Sequence, residues 1–306
     1  MRRRGKHAGT SGTSGPGPGG RRRRLARAVA GLPASVFSLL VLLITALVVI
    51  SPAGTAADAG IESLTESVPL SGASFTGMPA VGALLHTGVA GSHFCTASVV
   101  DSPAGNMIVT AAHCVYGISG GPGSIAFAPG YHDGRAPYGE WTVTRILTSQ
   151  KWQSAAAQDD DVAFATVNGP VQKYSGAEKL PPATQAVSST GNATGAVVRV
   201  VGYPDGAARP VTCQNRIRAF SPTQMEFDCK GYTDGTSGGP FLTDISPATG
   251  TGTIVGVVGG YQQGGDTPDV SYSPVFGAGV QALYRSAVSS AGSAGHDAGS
   301  GAVDGT

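Results

Sequence analysis

From residue 80 onward, short apolar runs alternate with breaks rich in Gly and Pro. Six runs fill the first part of this region, at residues 81–85, 95–100, 107–112, 124–128, 141–147 and 162–167. Five more follow a stretch without regular pattern at 172–194, at residues 196–202, 211–220, 224–229, 239–242 and 253–259. Runs of this length between turn residues predict β-strands, so the chain is predicted to have two all-β halves.

Helical spacing is clearest near the C-terminal end. Apolar residues in 275–288 recur every three to four positions, at Val280, Leu283, Tyr284 and Val288. This period predicts a terminal helix. Residues 1–31 are rich in Gly, Ser, Pro and Arg, and residues 289–306 in Gly, Ala and Ser, so both ends are expected to be disordered.

An export signal is predicted ahead of the strand region. An Arg-rich run precedes 32–50, which is uncharged and almost wholly apolar, and small residues follow up to residue 57. Cleavage is expected after Ala57 or Ala59, but nineteen residues also suffice to span a bilayer, so a membrane anchor stays open. The polar stretch 58–78 is expected to be a linker or a short pro-segment. We therefore expect a secreted protein, or one held on the outer face of the cell membrane by residues 32–50 alone.

The charge balance changes sign along the chain. Nine of the 20 Lys and Arg residues precede Asp58, which leaves 11 against all 19 Asp and Glu residues, a balance of about −8. Such a surface repels phosphate backbones, so nucleic acid is not an expected partner.

Four cysteines follow the apolar segment: Cys95, Cys114, Cys213 and Cys229. An even number in an oxidising compartment favours two disulfides, with three pairings possible from the residues alone. The sequence has no C-x-x-C or H-x-x-H spacing, so neither a metal site nor a cofactor is expected.

Three residues have the chemistry of nucleophilic catalysis. Ser237 lies among glycines in T-D-G-T-S-G-G-P (233–240), His113 ends T-A-A-H, and a possible orienting carboxylate lies between them in D-D-D (159–161), directly before the apolar run V-A-F-A. A serine hydroxyl becomes a good nucleophile when an imidazole takes its proton, and a buried acid fixes the imidazole tautomer. An esterase with a G-x-S-x-G elbow places its histidine last, whereas here the histidine comes first.

The segments T-A-A-H-C (110–114) and G-T-S-G-G-P (235–240) resemble the motifs of trypsin/chymotrypsin-like serine proteases, specifically their secreted bacterial branch. The resemblance covers about 79–288. It implies an all-β fold of two six-stranded antiparallel β-barrels, about 79–180 and 190–288, with a C-terminal helix and a cleft between the barrels. It also implies His113 as general base, Ser237 as nucleophile and Asp161 as the orienting acid, with Asp160 as the alternative acid.

The resemblance extends to other residues. It implies disulfides Cys95–Cys114 and Cys213–Cys229, and an oxyanion hole made by the N–H groups of Gly235 and Ser237. The residues it implies for substrate binding are Gly231, Tyr232, Val258, Gly259 and Tyr261. The expected floor position carries no carboxylate and the expected wall no histidine, so an apolar or small substrate side chain is expected next to the scissile bond.

Thr236 departs from the digestive-type members of the family. Those members commonly have an Asp here, which pairs with a newly cut N-terminal amine. Threonine cannot form that ion pair, so we expect local hydrogen bonds to hold the loop and no activation by N-terminal insertion.

Two functions are compatible with these motifs and with the resemblance. One is an exported, monomeric serine endopeptidase that acts on proteins or peptides through an acyl-enzyme on Ser237. The other is a catalytically silent protease-like domain that binds protein at the cell envelope. Silent relatives usually lose one of the three catalytic residues, and all three are present here, which favours the enzyme.

Overall fold

A computed structural model of the chain describes residues 70–87, 93–181 and 195–297. The predictions for residues 1–31 and 32–57, and most of those for 58–78, lie outside the described residues. Within those ranges, no helix is both long and apolar enough to cross a membrane.

The described residues form fourteen strands and four α-helices. The strands are β1 (Ala73–Ser74), β2 (Val81–His86), β3 (His93–Val100), β4 (Met107–Thr110), β5 (Ile125–Pro129), β6 (Trp141–Thr148), β7 (Ala163–Val167), β8 (Val197–Gly202), β9 (Val211–Arg216), β10 (Arg218–Ala219), β11 (Gln224–Asp228), β12 (Pro240–Thr243), β13 (Thr253–Val257) and β14 (Val270–Pro274). The helices are α1 (Ala112–Val115), α2 (Gln150–Ala155), α3 (Gln172–Ser175) and α4 (Ala278–Asp297).

The first half is a closed antiparallel barrel in the order β2-β3-β4-β7-β6-β5. Its interior is filled by apolar side chains that are fully buried, such as Leu84, Ile108 and Phe127. A second apolar cluster joins Met107 and Phe164 of this barrel to Val201 and Leu242 of the second half. Strands of the barrel therefore bury both faces, which explains why β3, β4 and β7 read as nearly continuous apolar runs.

The second half contains two antiparallel sheets. One has five strands in the order β1-β9-β8-β12-β13, and the other has three in the order β10-β11-β14. The β13 and β14 strands approach each other through a side chain, since Val257 N donates to Ser273 Oγ at 2.9 Å. The all-β class, the first barrel and a C-terminal helix are as predicted, while the second half forms two sheets rather than a hydrogen-bonded closed barrel. The prediction of disorder from residue 289 onward is wrong for 289–297, which continue helix α4, because Ala291 packs against the core and Ser290 O accepts a hydrogen bond from Arg145.

The folded domain begins earlier than the sequence suggests. Residues 70–78 belong to the stretch predicted to be a linker or short pro-segment, yet β1 pairs with β9, and Lys230 N donates to Leu70 O at 2.8 Å. Gly72 N in turn donates to Lys230 O at 2.7 Å. This segment therefore lies along the chain that leads to Ser237.

Helix α4 packs on the opposite half. The Tyr284 hydroxyl donates to the carbonyl oxygen of Asp101 at 2.6 Å, and its ring meets Phe164 edge-on at 5.5 Å between centroids. Arg145 Nη1 donates to Ser290 O at 3.0 Å. The terminal helix thus belongs to the second half in sequence and to the first barrel in its contacts.

Candidate active site

His113 lies at the point where β4 ends and α1 begins. The Cys95–Cys114 disulfide ties the next residue in the chain to β3, which fixes this short helix on the barrel. The His113 side chain is 13% exposed, so one edge of the imidazole remains open to solvent.

Asp161 follows a short 3₁₀ turn (Gln158–Asp160) and has no exposed surface. Its Oδ2 lies 2.7 Å from His113 Nδ1, and its Oδ1 accepts the His113 backbone N–H at 2.9 Å. Oδ2 also accepts the Gly260 N–H at 2.8 Å. The contact with Asp161 Oδ2 holds Nδ1 as the protonated ring nitrogen, so Nε2 is the nitrogen that can act as a base. Of the adjacent aspartates, Asp161 rather than Asp160 contacts His113.

Ser237 lies in the loop between β11 and β12 and is half-buried. Its carbonyl oxygen accepts the Thr96 N–H at 2.7 Å, and Gly238 N donates to Val258 O at 2.7 Å. The serine is therefore held between the first barrel and the end of β13. Within the described residues no hydrogen bond joins Ser237 Oγ to His113 Nε2, a contact that often tightens only when substrate binds.

The loop before Ser237 turns at Gly235, where φ is +90°. A Cβ at this position would lie within 2.6 Å of Asp205 N, so only glycine fits against that backbone. Neither Gly235 N nor Ser237 N donates to another group in the described ranges. Both amides are thus available to a developing oxyanion.

Thr236 closes this loop locally. It is 2% exposed, its Oγ1 donates to Thr233 O at 2.7 Å, and its N–H donates to the same oxygen at 3.1 Å. The local bonds expected from the Thr-for-Asp difference are present.

His113 and Ser237 line one cleft of about 490 Å³. Its other lining residues are Tyr232, Thr233, Asp234, Thr236, Val258 and the whole of 262–268. The family of trypsin-like peptidase domains matches residues 91–257, which include His113, Asp161 and Ser237. This chain belongs to the trypsin-like peptidase domain family.

Solved structures agree with this assignment at the level of the fold. Protease Anisep from Arthrobacter nicotinovorans is 24% identical, with a TM-score of 0.56, and the match covers 71% of this chain and 98% of that one. The thermostable serine protease AL20 from an extremophilic microorganism is 24% identical, with a TM-score of 0.55 and coverage of 69% and 97%. A Glu endopeptidase is 18% identical, with a TM-score of 0.57 and coverage of 72% and 97%. No curated protein matches the chain. The family match supports a peptidase of the trypsin-like class, and these structures support its fold.

The two disulfides of this trypsin-like peptidase are those implied by the resemblance, Cys95–Cys114 and Cys213–Cys229. The sulfurs of Cys95 and Cys114 lie near the His113 ring with the spacing of metal ligands. Both sulfurs are consumed by the disulfide, and a metal needs thiolates, so this trio does not form a metal site.

Two of the five residues expected to bind substrate line the cleft. They are Tyr232, whose buried hydroxyl donates to Val200 O at 2.9 Å, and Val258. Burial raises the pKa of Tyr232, so its hydroxyl stays protonated and acts as a donor.

Gly231, Gly259 and Tyr261 are absent from the cleft lining. Gly231 follows Lys230, which bonds to residues 70–72, and its nearest neighbour there is Gly72 N. For Gly259 and Tyr261 the physical reason is a turn at Gly260, where φ is +80°, three residues beyond the end of β13. The turn puts Gly259 against Asp161 and carries Tyr261 into an aromatic cluster with Phe220, at 4.7 Å between centroids.

Sequence reasoning missed the loop 262–268, which forms one side of the cleft. Gln262 and Gln263 have φ of +52° and +54°, and two glycines with positive φ follow. The run Q-Q-G-G was the available signal, since glycines in succession mark such turns. The loop contributes Asp266, which faces the same cleft as Asp234, and no Lys or Arg lies among the described lining residues.

Proposed function

We propose that this trypsin-like peptidase is an exported serine endopeptidase with Ser237, His113 and Asp161 as its catalytic triad. The observation that carries the proposal is the pairing of a fully buried Asp161 with His113 Nδ1 at 2.7 Å, in a cleft that His113 shares with Ser237. This arrangement is the one needed to make a serine hydroxyl nucleophilic.

In the first step, Ser237 Oγ attacks the carbonyl carbon of the scissile peptide while His113 Nε2 takes the hydroxyl proton. The carbonyl oxygen becomes an oxyanion, and the free N–H groups of Gly235 and Ser237 are the donors that stabilise it. Asp161 stabilises the imidazolium that forms and keeps the ring oriented.

In the second step, the imidazolium donates its Nε2 proton to the leaving amine as the carbon–nitrogen bond breaks. An acyl group then remains on Ser237 Oγ. Water attacks this ester with His113 again as the base, and the product acid leaves with the serine restored.

The oxidised state of the cysteines supports export, in addition to the apolar segment. All four cysteines in the described residues form disulfides, a state that persists in oxidising compartments. We infer that the protease domain acts outside the cell on proteins or peptides, as a monomer, either released or anchored by residues 32–50.

The test is labelling of the purified protein with a fluorophosphonate, followed by peptide mapping of the adduct. We expect one adduct on Ser237, and none in His113→Ala, which removes the base but not the nucleophile. A folded wild-type protein that neither reacts nor hydrolyses peptides would favour the silent binding domain instead.

A further inference from the structure

Gln224, the first residue of β11, is a buried amide that joins two loops. The residue is 4% exposed. Nε2 donates to Asp159 Oδ1 at 2.8 Å and to Gln158 O at 3.2 Å, and Oε1 accepts the Tyr261 N–H at 3.2 Å. Both ends of one side chain are therefore used, one on the loop that leads into Asp161 and the other on the turn after β13.

The same turn provides one of the three donors to Asp161. Gly260 N lies 2.8 Å from Asp161 Oδ2. Gln224 packs directly behind this amide: a Cβ on Gly260 would clash with Gln224 Oε1 and lie 3.0 Å from its Cδ and Nε2. Gly260 also has φ +80°, so the position suits glycine in both space and conformation.

The group that Gly260 donates to the Asp161 carboxylate is a backbone N–H and not a side-chain group. A backbone N–H in a turn keeps its direction only if the turn is fixed. Of the two residues of the turn, Gly260 has no side chain and Tyr261 points its ring toward Phe220. Apart from Asp161 itself, the side chain in the described residues that ties this turn to the Asp161 loop is Gln224.

We propose that Gln224 is a positioning residue for the Asp161–His113 pair, because it clamps residues 158–161 to Gly260–Tyr261 and so holds the Gly260 N–H on the carboxylate. The inference rests on the proposed function of that pair. Without the clamp, Asp161 keeps its two bonds to His113 but loses a fixed donor on Oδ2, and the imidazole loses orientation toward Ser237.

The variant that tests the clamp is Gln224→Met, which keeps the length of the side chain and removes its donors and its acceptor. Gln214→Met on β9 is the matched control, since Gln214 is exposed and lies in the other sheet. With a peptide substrate we expect kcat to fall about 10- to 100-fold in Gln224→Met, as small misplacements of catalytic groups do. KM should stay within about 2-fold, because Gln224 is not among the residues that line the cleft, and the control should match wild type.

A second measurement does not depend on turnover. Native-state hydrogen exchange, followed by NMR on the intact protein, reports whether the Gly260 amide is held. We expect the Gly260 N–H to exchange at least about 10-fold faster in Gln224→Met, with Val109 in the barrel unchanged and with no effect in Gln214→Met. If Gln224→Met fails to fold, Asp159→Ala takes its place, since Asp159 is exposed and its removal takes one acceptor from Gln224.

The outcomes separate this inference from the proposed function. An inactive wild type would defeat the proposed triad, while the Gly260 exchange rate would still decide whether the clamp exists. Unchanged exchange at Gly260 would overturn the clamp. Faster exchange with unchanged kcat in an active enzyme would overturn its role in positioning Asp161.

Discussion

Thr236 Oγ1 donates a hydrogen bond to the carbonyl oxygen of Thr233 at 2.7 Å, inside the loop that ends at Ser237. The loop is therefore closed by its own residues, at the position where insertion-activated relatives use a carboxylate. A buried ammonium at this point would have no counter-charge from residue 236, and burying an unpaired charge costs several kcal/mol.

The first prediction is that activity does not need a new, buried N-terminal amine. Proteins that begin at different residues between 58 and 70 should have the same kcat, before and after acetylation of the terminal amine. Removal of 70–74 should lower activity, because this segment bonds to Lys230 near the cleft. A sharp dependence on one starting residue, abolished by acetylation, would show that another acid replaces the missing Asp, and Asp234 would be the first to test.

The second prediction concerns the acid of the triad. Asp161→Asn should lower kcat by about 10⁴, because an amide there favours the wrong imidazole tautomer. Asp160→Asn is the matched control, since it has the same chemistry one residue earlier and no contact with His113. Steady-state kinetics of both variants decide the assignment, and a crippled Asp160→Asn beside an active Asp161→Asn would reverse it.

The third prediction follows from Glu178, which is fully buried between the two halves. Its backbone N–H donates to Val99 O in the first barrel at 2.9 Å, while Gly252 N of the second half donates to its Oε2. Burial raises the pKa of Glu178 from the usual 4.5 to about 7, against a smaller opposing effect of the Gly252 N–H.

Because the folded-state pKa lies above the unfolded value, the folded protein binds a proton that the unfolded chain releases. The contribution of Glu178 to stability is therefore full below about pH 4.5 and is lost as the pH rises to about 7. This difference in pKa corresponds to about 3 kcal/mol. Glu178→Gln should remove that slope and be the more stable protein at pH 8, as measured by urea unfolding at pH 5 and pH 8. Exposed Glu140→Gln is the control, and parallel slopes for wild type and Glu178→Gln would contradict the prediction.

The fourth prediction concerns substrate charge. Asp234 and Asp266 face the cleft without a described Lys or Arg beside them, so a cationic side chain near the scissile bond should be preferred over an acidic one. This differs from the preference for an apolar or small substrate side chain that is expected from the floor position alone.

Both carboxylates are exposed, so the effect should be modest, about 5-fold in kcat/KM for each of Asp234→Asn and Asp266→Asn, and should shrink with added salt. A substrate panel varied at one position measures it, with Glu140→Gln unchanged. Equal rates for Lys and Glu substrates in wild type would refute it.

Much of the fold could be read from the sequence because buried strands need apolar residues. All eleven predicted runs contain strands of the structure, although 211–220 is divided at Ile217 into β9 and β10. Strands β1 and β14 were not predicted. The two residues of β1, Ala and Ser, give no apolar signal, and its pairing depends on a partner far along the chain. Strand β14 reads V-S-Y-S-P, which has no continuous apolar run.

The site was predictable where side chains do the chemistry, and less so where the backbone does. His113, Asp161 and Ser237 are expected from their motifs; the structure places His113 Nδ1 2.7 Å from Asp161 Oδ2, and His113 and Ser237 line the same cleft. The Gly260 N–H on Asp161 and the positive-φ loop 262–268 depend on backbone direction, which no side-chain pattern records. Gln224 looked like an ordinary strand residue because its partners lie in two loops distant in sequence.

Each half of the molecule packs against a terminal segment of the other half, and this arrangement affects how the molecule responds to a break in the chain. Strand β1 completes a sheet of the second half, and helix α4 packs on the first barrel. Each disulfide lies within one half, so no covalent bond other than the main chain joins the halves. A molecule cut once between Pro181 and Gly195 would therefore stay a single particle on gel filtration and fall into two fragments in denaturant. Either fragment produced alone would lack a segment that the other supplies, which makes the two halves one folding unit despite their separate sheets.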